Sequence, residues 1–463
     1  MKIGSHAVAR MLGAWHDGPG PAHQRLSDRL RLLVLDGRLA LGAALPSERD
    51  LALTLGVSRT TVGTAYRALA DAGYLGTHPR SRAVVRLPDE GTPGVPTAPL
   101  SSTIDLSFAA PAAPGVILHR AFTQALEQLP RHFGRRGYER DGVAELREAV
   151  ARWYGRRGLA TRPEQILVTN GAQHAVALIA RTLLTPGDRV VIEHPTYPHA
   201  IKALTDVGSR LVPVALEPDG WNVEQLRAAS RNAKLAYLIP DFHNPTGLCM
   251  PADIRRRIRL DCPVVVDETL ADLALDVAPP PPFAAHHPAT ISIGSTAKSI
   301  WGGLRIGWIR ATPALLNRLT QARPGTDLGT PVLEQLAAAL LLDSLDTYLP
   351  TQLDQLRTQR RTLHTALAHH LPEWTVPIPP GGLSFWITLD TTISSRLAAL
   401  APDHGLTLAA GPRFGVGGAF ERHLRLPYSL PLETLKTAAH QLSSVRGAIM
   451  KGVRGKHKPS AVA

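Results

Sequence analysis

Only two cysteines, Cys249 and Cys262, occur in 463 residues. They are too few for a disulfide framework or a tetrahedral metal site, and the chain is expected in a reducing compartment, the cytoplasm. No apolar run approaches the roughly 20 residues that a membrane-spanning helix needs. The opening stretch MKIGSHAVARMLGAWHDGPGP lacks the continuous apolar middle of a secretory leader. These absences exclude a membrane channel and a disulfide-stapled secreted module.

What is present is length and positive charge. A chain of 463 residues exceeds what one hydrophobic core usually serves, so at least two domains are expected. The formal charge of +13 favours an anionic partner without identifying one. Residues 1–88 hold 12 Lys and Arg against 6 Asp and Glu, and the tail MKGVRGKHKPSAVA adds four cations and no acid. Between Val85 and Leu106 the periodicity fails, and LPDEGTPGVPTAPLSST, without aromatics, reads as a linker. Beyond it, β-branched runs (QILVT, RVVIE, KLAYLIP, PVVVDE) alternate with longer helical stretches, which predicts a mainly parallel sheet covered by helices. The run Pro279 to Pro282 marks a stiff surface connection.

Before the linker, Leu26, Leu30, Leu33 and Val34 recur at helical spacing and Gly37 stops that helix. Ser47 can cap a second helix, with Asp50 as a capping-box partner and Leu51 and Leu55 on its inner face. After the Gly56 turn, Ser58 opens a third helix with Val62, Ala65, Tyr66 and Leu69 inward and Arg59, Thr60, Thr64 and Arg67 outward or at its start. A helix, glycine turn and helix with hydroxyls and a guanidinium at the second amino end suits the DNA major groove; a plain three-helix packing unit fits the same spacing. The string LPSERDLA…LGVSRTTV…AYRALADAGYL resembles the winged-helix reading head of the GntR family. The resemblance places Arg49, Ser58, Arg59, Thr60 and Thr61 at DNA-contacting positions. Where that family carries two glycines at the wing tip, this chain has Arg80 and Arg82, and arginine does not adopt positive φ cheaply.

After the linker, SIGSTAKSIWGGLRIGW offers Lys298, with Ser295 before it and Arg305 after it as phosphate ligands. A pyridoxal phosphate site needs a lysine for the Schiff base, an acid facing the pyridine nitrogen, a phosphate cradle and a flat group against the ring. Asp267 ends PVVVDE, the amides of Ala172 and Gln173 open a helix after a strand, Tyr197 in EHPTYPH can stack, and Asn244 in DFHNPTG can bond the phenolic oxygen. Each alone has a plainer explanation, a strand-end Asp as a turn cap for example. In this order and spacing they resemble the fold type I aminotransferases over about residues 104–447. The resemblance implies that Arg425 in HLRLPYS clamps an α-carboxylate and that Tyr138 reaches a neighbouring subunit's phosphate, although Tyr138 stands four residues before Gly142 where the family spacing is five. It also exposes a departure: the family's tyrosine two or three residues after the aspartate is replaced by Thr269 and Leu270.

A winged helix joined by a linker to such a domain resembles the MocR subfamily of GntR regulators. The expected division is 1–86 winged helix, 87–103 linker, 104–447 α/β aminotransferase-like domain and 448–463 disordered basic tail. The resemblance implies pyridoxal 5'-phosphate as cofactor, DNA as partner, a homodimer, and an amino compound or the coenzyme as effector. An aminotransferase that merely carries a DNA-binding head is the alternative, and a coenzyme-free repressor is disfavoured because the coenzyme positions are nearly all filled.

Overall fold

The computed structural model describes residues 2–17, 20–76, 82–88 and 103–454. The chain opens with a helix that the sequence reading did not include, α1 (Ser5–Leu12), which buries Val8 and Leu12. Ahead of it Ile3 N–H donates to the Ala44 carbonyl at 3.0 Å, which ties the first residues to the segment beside the wing. The expected three helices follow as α2 (Ala22–Leu35), α3 (Glu48–Leu55) and α4 (Arg59–Asp71), and the residues read as inward are buried. Ser47 Oγ accepts the Asp50 N–H at 3.1 Å, but among the described residues the return bond to Ser47 N–H is absent, so only half of the expected capping box forms. Gly56 takes φ +67°, which lets the chain turn sharply between α3 and α4. The strands β1 (Leu75–Gly76) and β2 (Val84–Val85) pair antiparallel as the wing. Its tip, with Arg80, lies outside the described residues; Arg82 is described and exposed.

Past the linker, β3 (Ile104–Leu106) leads into the body. The four β-branched runs become β4 (Ile166–Thr169), β5 (Arg189–His194), β8 (Leu235–Leu238) and β9 (Val264–Asp267), joined by β6 (Arg210–Glu217), β7 (Gly220–Trp221), β10 (Ile291–Ser295) and β11 (Gly307–Arg310). They form one sheet in the order β4-β11-β10-β9-β8-β5-β6-β7, parallel except where β11 and the edge strand β7 run against their neighbours. Strands buried on both faces need an apolar side chain at nearly every position, which is why these runs read as continuous rather than alternating.

The covering helices are α5 (Gly115–Gln128), α6 (Ala144–Arg156), α7 (Gly171–Leu183), α8 (Pro198–Asp206), α9 (Val223–Ser230), α10 (Ala252–Arg257), α11 (Pro313–Ala322) and α12 (Val332–Asp343). One core unites α5, α6 and α12 on one face of the sheet; another unites α7, α8 and α11 on the other. A smaller lobe packs α13 (Leu345–His370), α14 (Ser394–Leu400) and α15 (Leu432–Arg454) on a second sheet. Its strands are β12 (Ser384–Thr388), β13 (Leu406–Ala410) and β14 (His423–Pro427), in the order β12-β14-β13-β3. The helix α15 reaches Arg454, which corrects the expectation of a disordered tail from 448; residues 455–463 lie outside the described residues. Among the described residues no helix is long and apolar enough to cross a membrane.

The head sits against the small lobe, α2 upon α14. Arg29, only 4% exposed, bonds Ser395 Oγ at 2.9 Å and Glu421 at 3.3 Å, and Arg413 pairs with Asp36 at 2.9 Å. The backbones cross glycine on glycine: a Cβ on Gly13 would lie 1.7 Å from the Gly417 carbonyl oxygen, and one on Gly418 would lie 2.5 Å from the Leu12 carbonyl oxygen.

Candidate functional site

Open α/β sheets bind ligands beyond the carboxyl ends of their strands, and a cleft of about 870 Å³ lies there. Ala172, Gln173, Tyr197, Asn244, Asp267, Ser295, Lys298 and Arg305, recruited from sequence separately, all line it. The fold explains the convergence: Asp267 ends β9, Lys298 sits in the wide turn after β10, Tyr197 caps α8 after β5, and Ala172 and Gln173 open α7 after β4.

The phosphate end is made of backbone. The first N–H groups of a helix have no acceptor within it, and they carry the positive end of the dipole. Gly171 at φ +78° starts α7, and a Cβ there would meet the Arg305 guanidinium at 2.7 Å. A Cβ on Gly307 would approach the Gly171 carbonyl carbon to 2.5 Å, so only glycine lets β11 pass beneath this turn. Ser295 lines the cleft but donates its proton to the Ile306 carbonyl at 2.9 Å and accepts the Ala297 N–H at 3.1 Å. It therefore meets a phosphate only by giving up the bond to Ile306.

At the other end Asp267 accepts the Tyr237 hydroxyl at 2.7 Å and the Thr269 N–H at 3.0 Å. The half-buried Lys298 Nζ donates to the Ala109 carbonyl at 2.6 Å. Burial, then the positive charge of Arg425, pushes its amine down to about 8, against the pull of Asp267. Burial, and next the Asp267 charge, pushes the Tyr197 phenol up to about 12, so it stays neutral. Asn244 Oδ1 is buried without a hydrogen-bond partner, facing the same cleft.

Two predicted residues are not part of the cleft wall. Arg425, on β14, is buried beside it, donates to the Ser107 carbonyl, lies 5.2 Å over the Phe414 ring and leaves Nε without a partner. Its guanidinium is pushed down to about 10 by burial and then by Arg413. Tyr138 is 65% exposed and outside the cleft of its own chain. Sequence reasoning missed Tyr237, His243, Ala109 and Ser384. Tyr237 had a usable signal, since it pairs with Val265 across β8 and β9, and Asp267, two residues on, faces the same side.

In the head, Arg49, Ser58, Arg59 and Thr60 are exposed and Thr61 half-buried, gathered at the amino ends of α3 and α4. Ser58 Oγ accepts the Thr61 N–H at 3.0 Å and contacts Thr61 Oγ1 at 2.8 Å, so these two side chains cap the helix as well as face outward. Arg59 reaches back to Glu48 at 3.3 Å, with both side chains largely in solvent. The Tyr66 hydroxyl donates to the Pro46 carbonyl at 3.1 Å and pins α4 to the approach of α3.

Comparison with known proteins accounts for both halves. Residues 118–442 match the aminotransferase class I and II family, and residues 22–85 match the bacterial regulatory proteins of the gntR family. The chain is 30% identical to the probable rhizopine catabolism regulatory protein MocR of Rhizobium meliloti over 79% of this chain and 80% of that one. It is 29% identical to the vitamin B6 salvage pathway transcriptional repressor PtsJ of Salmonella typhimurium over 91% and 98%. In structure it resembles LysN, an α-aminoadipate aminotransferase from Thermus thermophilus solved with N-(5'-phosphopyridoxyl)-L-leucine, at TM-score 0.69 and 28% identity, over 77% of this chain and 97% of that one.

The residues present fit the pyridoxal phosphate on which aminotransferases of this class depend. A glycine-built anion cradle, an acid and an amine on the cleft wall, and an unpartnered buried amide oxygen are what its phosphate, ring nitrogen, aldehyde and phenol call for. With a gntR-type head followed by this cleft, the chain belongs to the DNA-binding GntR-type transcription regulators fused to a pyridoxal phosphate-dependent aminotransferase class I and II domain, the MocR architecture.

Proposed function

We propose that the cleft serves detection: an amino compound, or the coenzyme itself, occupies it and changes how the head holds DNA. Lys298 is the residue that holds the coenzyme covalently, with Asp267 at the ring nitrogen, Tyr197 on the ring face and Asn244 at the phenol. Ala172, Gln173, Ser295 and Arg305 hold the phosphate, joined by Tyr138 of a second copy in a homodimer. Arg425 receives the effector's carboxylate. When bound, the coenzyme supplies an aldehyde that condenses with primary amines and a ring that withdraws electrons. Two heads on a homodimer would read paired half-sites, and the cytoplasm is where such a regulator meets its DNA.

The observation that carries detection over turnover is that Thr269 and Leu270 line the cleft where the resemblance to aminotransferases calls for a tyrosine, and the Leu270 side chain is hydrocarbon. Hydrocarbon there can neither donate a hydrogen bond nor move a proton. Thr269 also lines the cleft, but an aliphatic alcohol is far less acidic than a phenol and substitutes only weakly in proton transfer. The test is to load the protein with pyridoxal phosphate, reduce with borohydride and map the label. It should lie on Lys298 and vanish in Lys298→Ala. Amino acids should then perturb the visible spectrum while keto-acid formation stays far below the ~10 per second typical of enzymes. Turnover near that rate would favour the enzyme reading, and a label elsewhere would refute the site.

A further inference from the structure

Besides α14, the body holds the head through a short stretch, residues 411–421, between β13 and β14. One side of it serves the cleft. Phe414 underlies the Arg425 guanidinium at 5.2 Å, its carbonyl accepts the Thr196 N–H at 2.8 Å, and Val416 N–H donates to His194 at 3.1 Å, on the loop that delivers Tyr197. The other side serves the head: Arg413 binds Asp36, the C-cap of α2, at 2.9 Å, and Glu421 binds Arg29 of α2 at 3.3 Å while taking the Ser395 N–H at 2.9 Å and hydroxyl at 2.7 Å. Arg413 also borders a cleft of about 940 Å³ shared with Asp36 and Arg38 of the head and with His199 and Lys202 of α8, so its side chain has room to swing.

We propose that residues 411–421 form an effector-operated latch for the DNA-reading head, in which a carboxylate arriving at Arg425 draws Arg413 away from Asp36 and loosens α2. This deepens the detection reading and rests on Arg425 being the carboxylate site. The argument is electrostatic. The charge of Arg413 is the largest that Arg425 experiences, and as one of two mutually repelling cations in a partly dry site Arg413 is held outward, toward Asp36. A carboxylate on Arg425 removes the repulsion and supplies a second anion, so Asp36 loses its exclusive claim. The Glu421–Arg29–Ser395 cluster is three-way bonded and enclosed, which makes it the pivot rather than the catch. A ligand shifts an equilibrium only by binding its two states differently, and here the difference is the Arg413–Asp36 pair.

The test uses two stable probes that differ in one carboxylate, phosphopyridoxyl-glycine and phosphopyridoxyl-methylamine, with the full-length protein. Hydrogen exchange is followed in α2 and in 411–421. The glycine probe should speed exchange in both, by a factor on the order of five, the low end of measured couplings; the methylamine probe should leave α2 unchanged. In Asp36→Asn, exchange in α2 should already be fast and indifferent to either probe, while 411–421 still answers the glycine probe, which should bind more tightly, by up to about fivefold, because no catch is left to break. Arg413→Gln should also silence α2, a second variant in case the first perturbs α2 itself. Equal effects of the two probes, or slower exchange in α2, would overturn the latch with the sensing site intact. Failure of both probes to bind would overturn the sensing site and the latch with it.

Discussion

At the scale of single residues, the chemistry of Lys298 is set by what surrounds it. Only a neutral amine attacks an aldehyde carbon. With its amine pushed down to about 8, about a tenth of Lys298 is neutral at pH 7, against roughly one part in three thousand for an ordinary lysine. Uptake of pyridoxal phosphate by coenzyme-free protein is therefore expected to accelerate through pH 8 and to level off above about pH 9; a rate still climbing at about pH 10 would mean an unperturbed amine. Leu270 offers the complementary experiment. Leu270→Tyr places a phenol on the cleft wall, and half-transamination of a bound amino acid should rise on the order of tenfold or more, as general acid–base groups contribute. No change in single-turnover rate would show that the departure at 270 is not what limits turnover.

At the scale of elements, the amino end of α4 does two jobs that mutation can separate. Ser58→Ala removes the cap and should cost about 1 kcal/mol of stability, read as a lower melting temperature. Arg59→Ala should cost about 1 to 3 kcal/mol in operator affinity and leave the coenzyme spectrum untouched. The exposed Arg59–Glu48 pair has a value of about 1 kcal/mol or less, so DNA phosphates displace it readily. Glu48→Ala should tighten binding to a random duplex several-fold at fixed salt, and weaker binding would mean that Glu48 positions Arg59 instead. Much at this scale was legible in sequence. The four β-branched runs and the three head helices announce themselves because burial on both faces, or on one helical stripe, dictates residue type locally. The cleft residues were legible because each stands at a strand end or turn where its own sequence is distinctive. What escaped has no local cause: α1 is short and was read only as a failed leader, and the antiparallel run of β11 follows from where the Lys298 turn sends the chain. The Arg29–Glu421 contact joins residues 392 apart in sequence.

At the scale of the whole molecule, the joint between head and body holds an acid that burial makes reluctant to ionise. Asp28, beside Arg29, Ser395 and Glu421, is pushed up to about 7 by burial, against the pull of Arg396 and Arg31 and with a further push from Glu421. A raised carboxyl keeps its proton in the docked state where a free one would release it, so the docked state holds more protons and weakens as pH rises. Docking should be firmest near the ordinary carboxyl range and loosen through about pH 7. Fluorophores on α4 and α15 should move apart between about pH 5 and 8, and Asp28→Asn should flatten that response. The glycine crossing bears on something else, the history open to such proteins. Because a single methyl at position 13 would strike the Gly417 oxygen, a head borrowed from another regulator does not seat unless it brings a glycine to the same crossing. Recombination can exchange these heads as operator-reading cassettes only along lineages that share it, and a chimaera lacking it would bind both DNA and coenzyme while the one took no notice of the other.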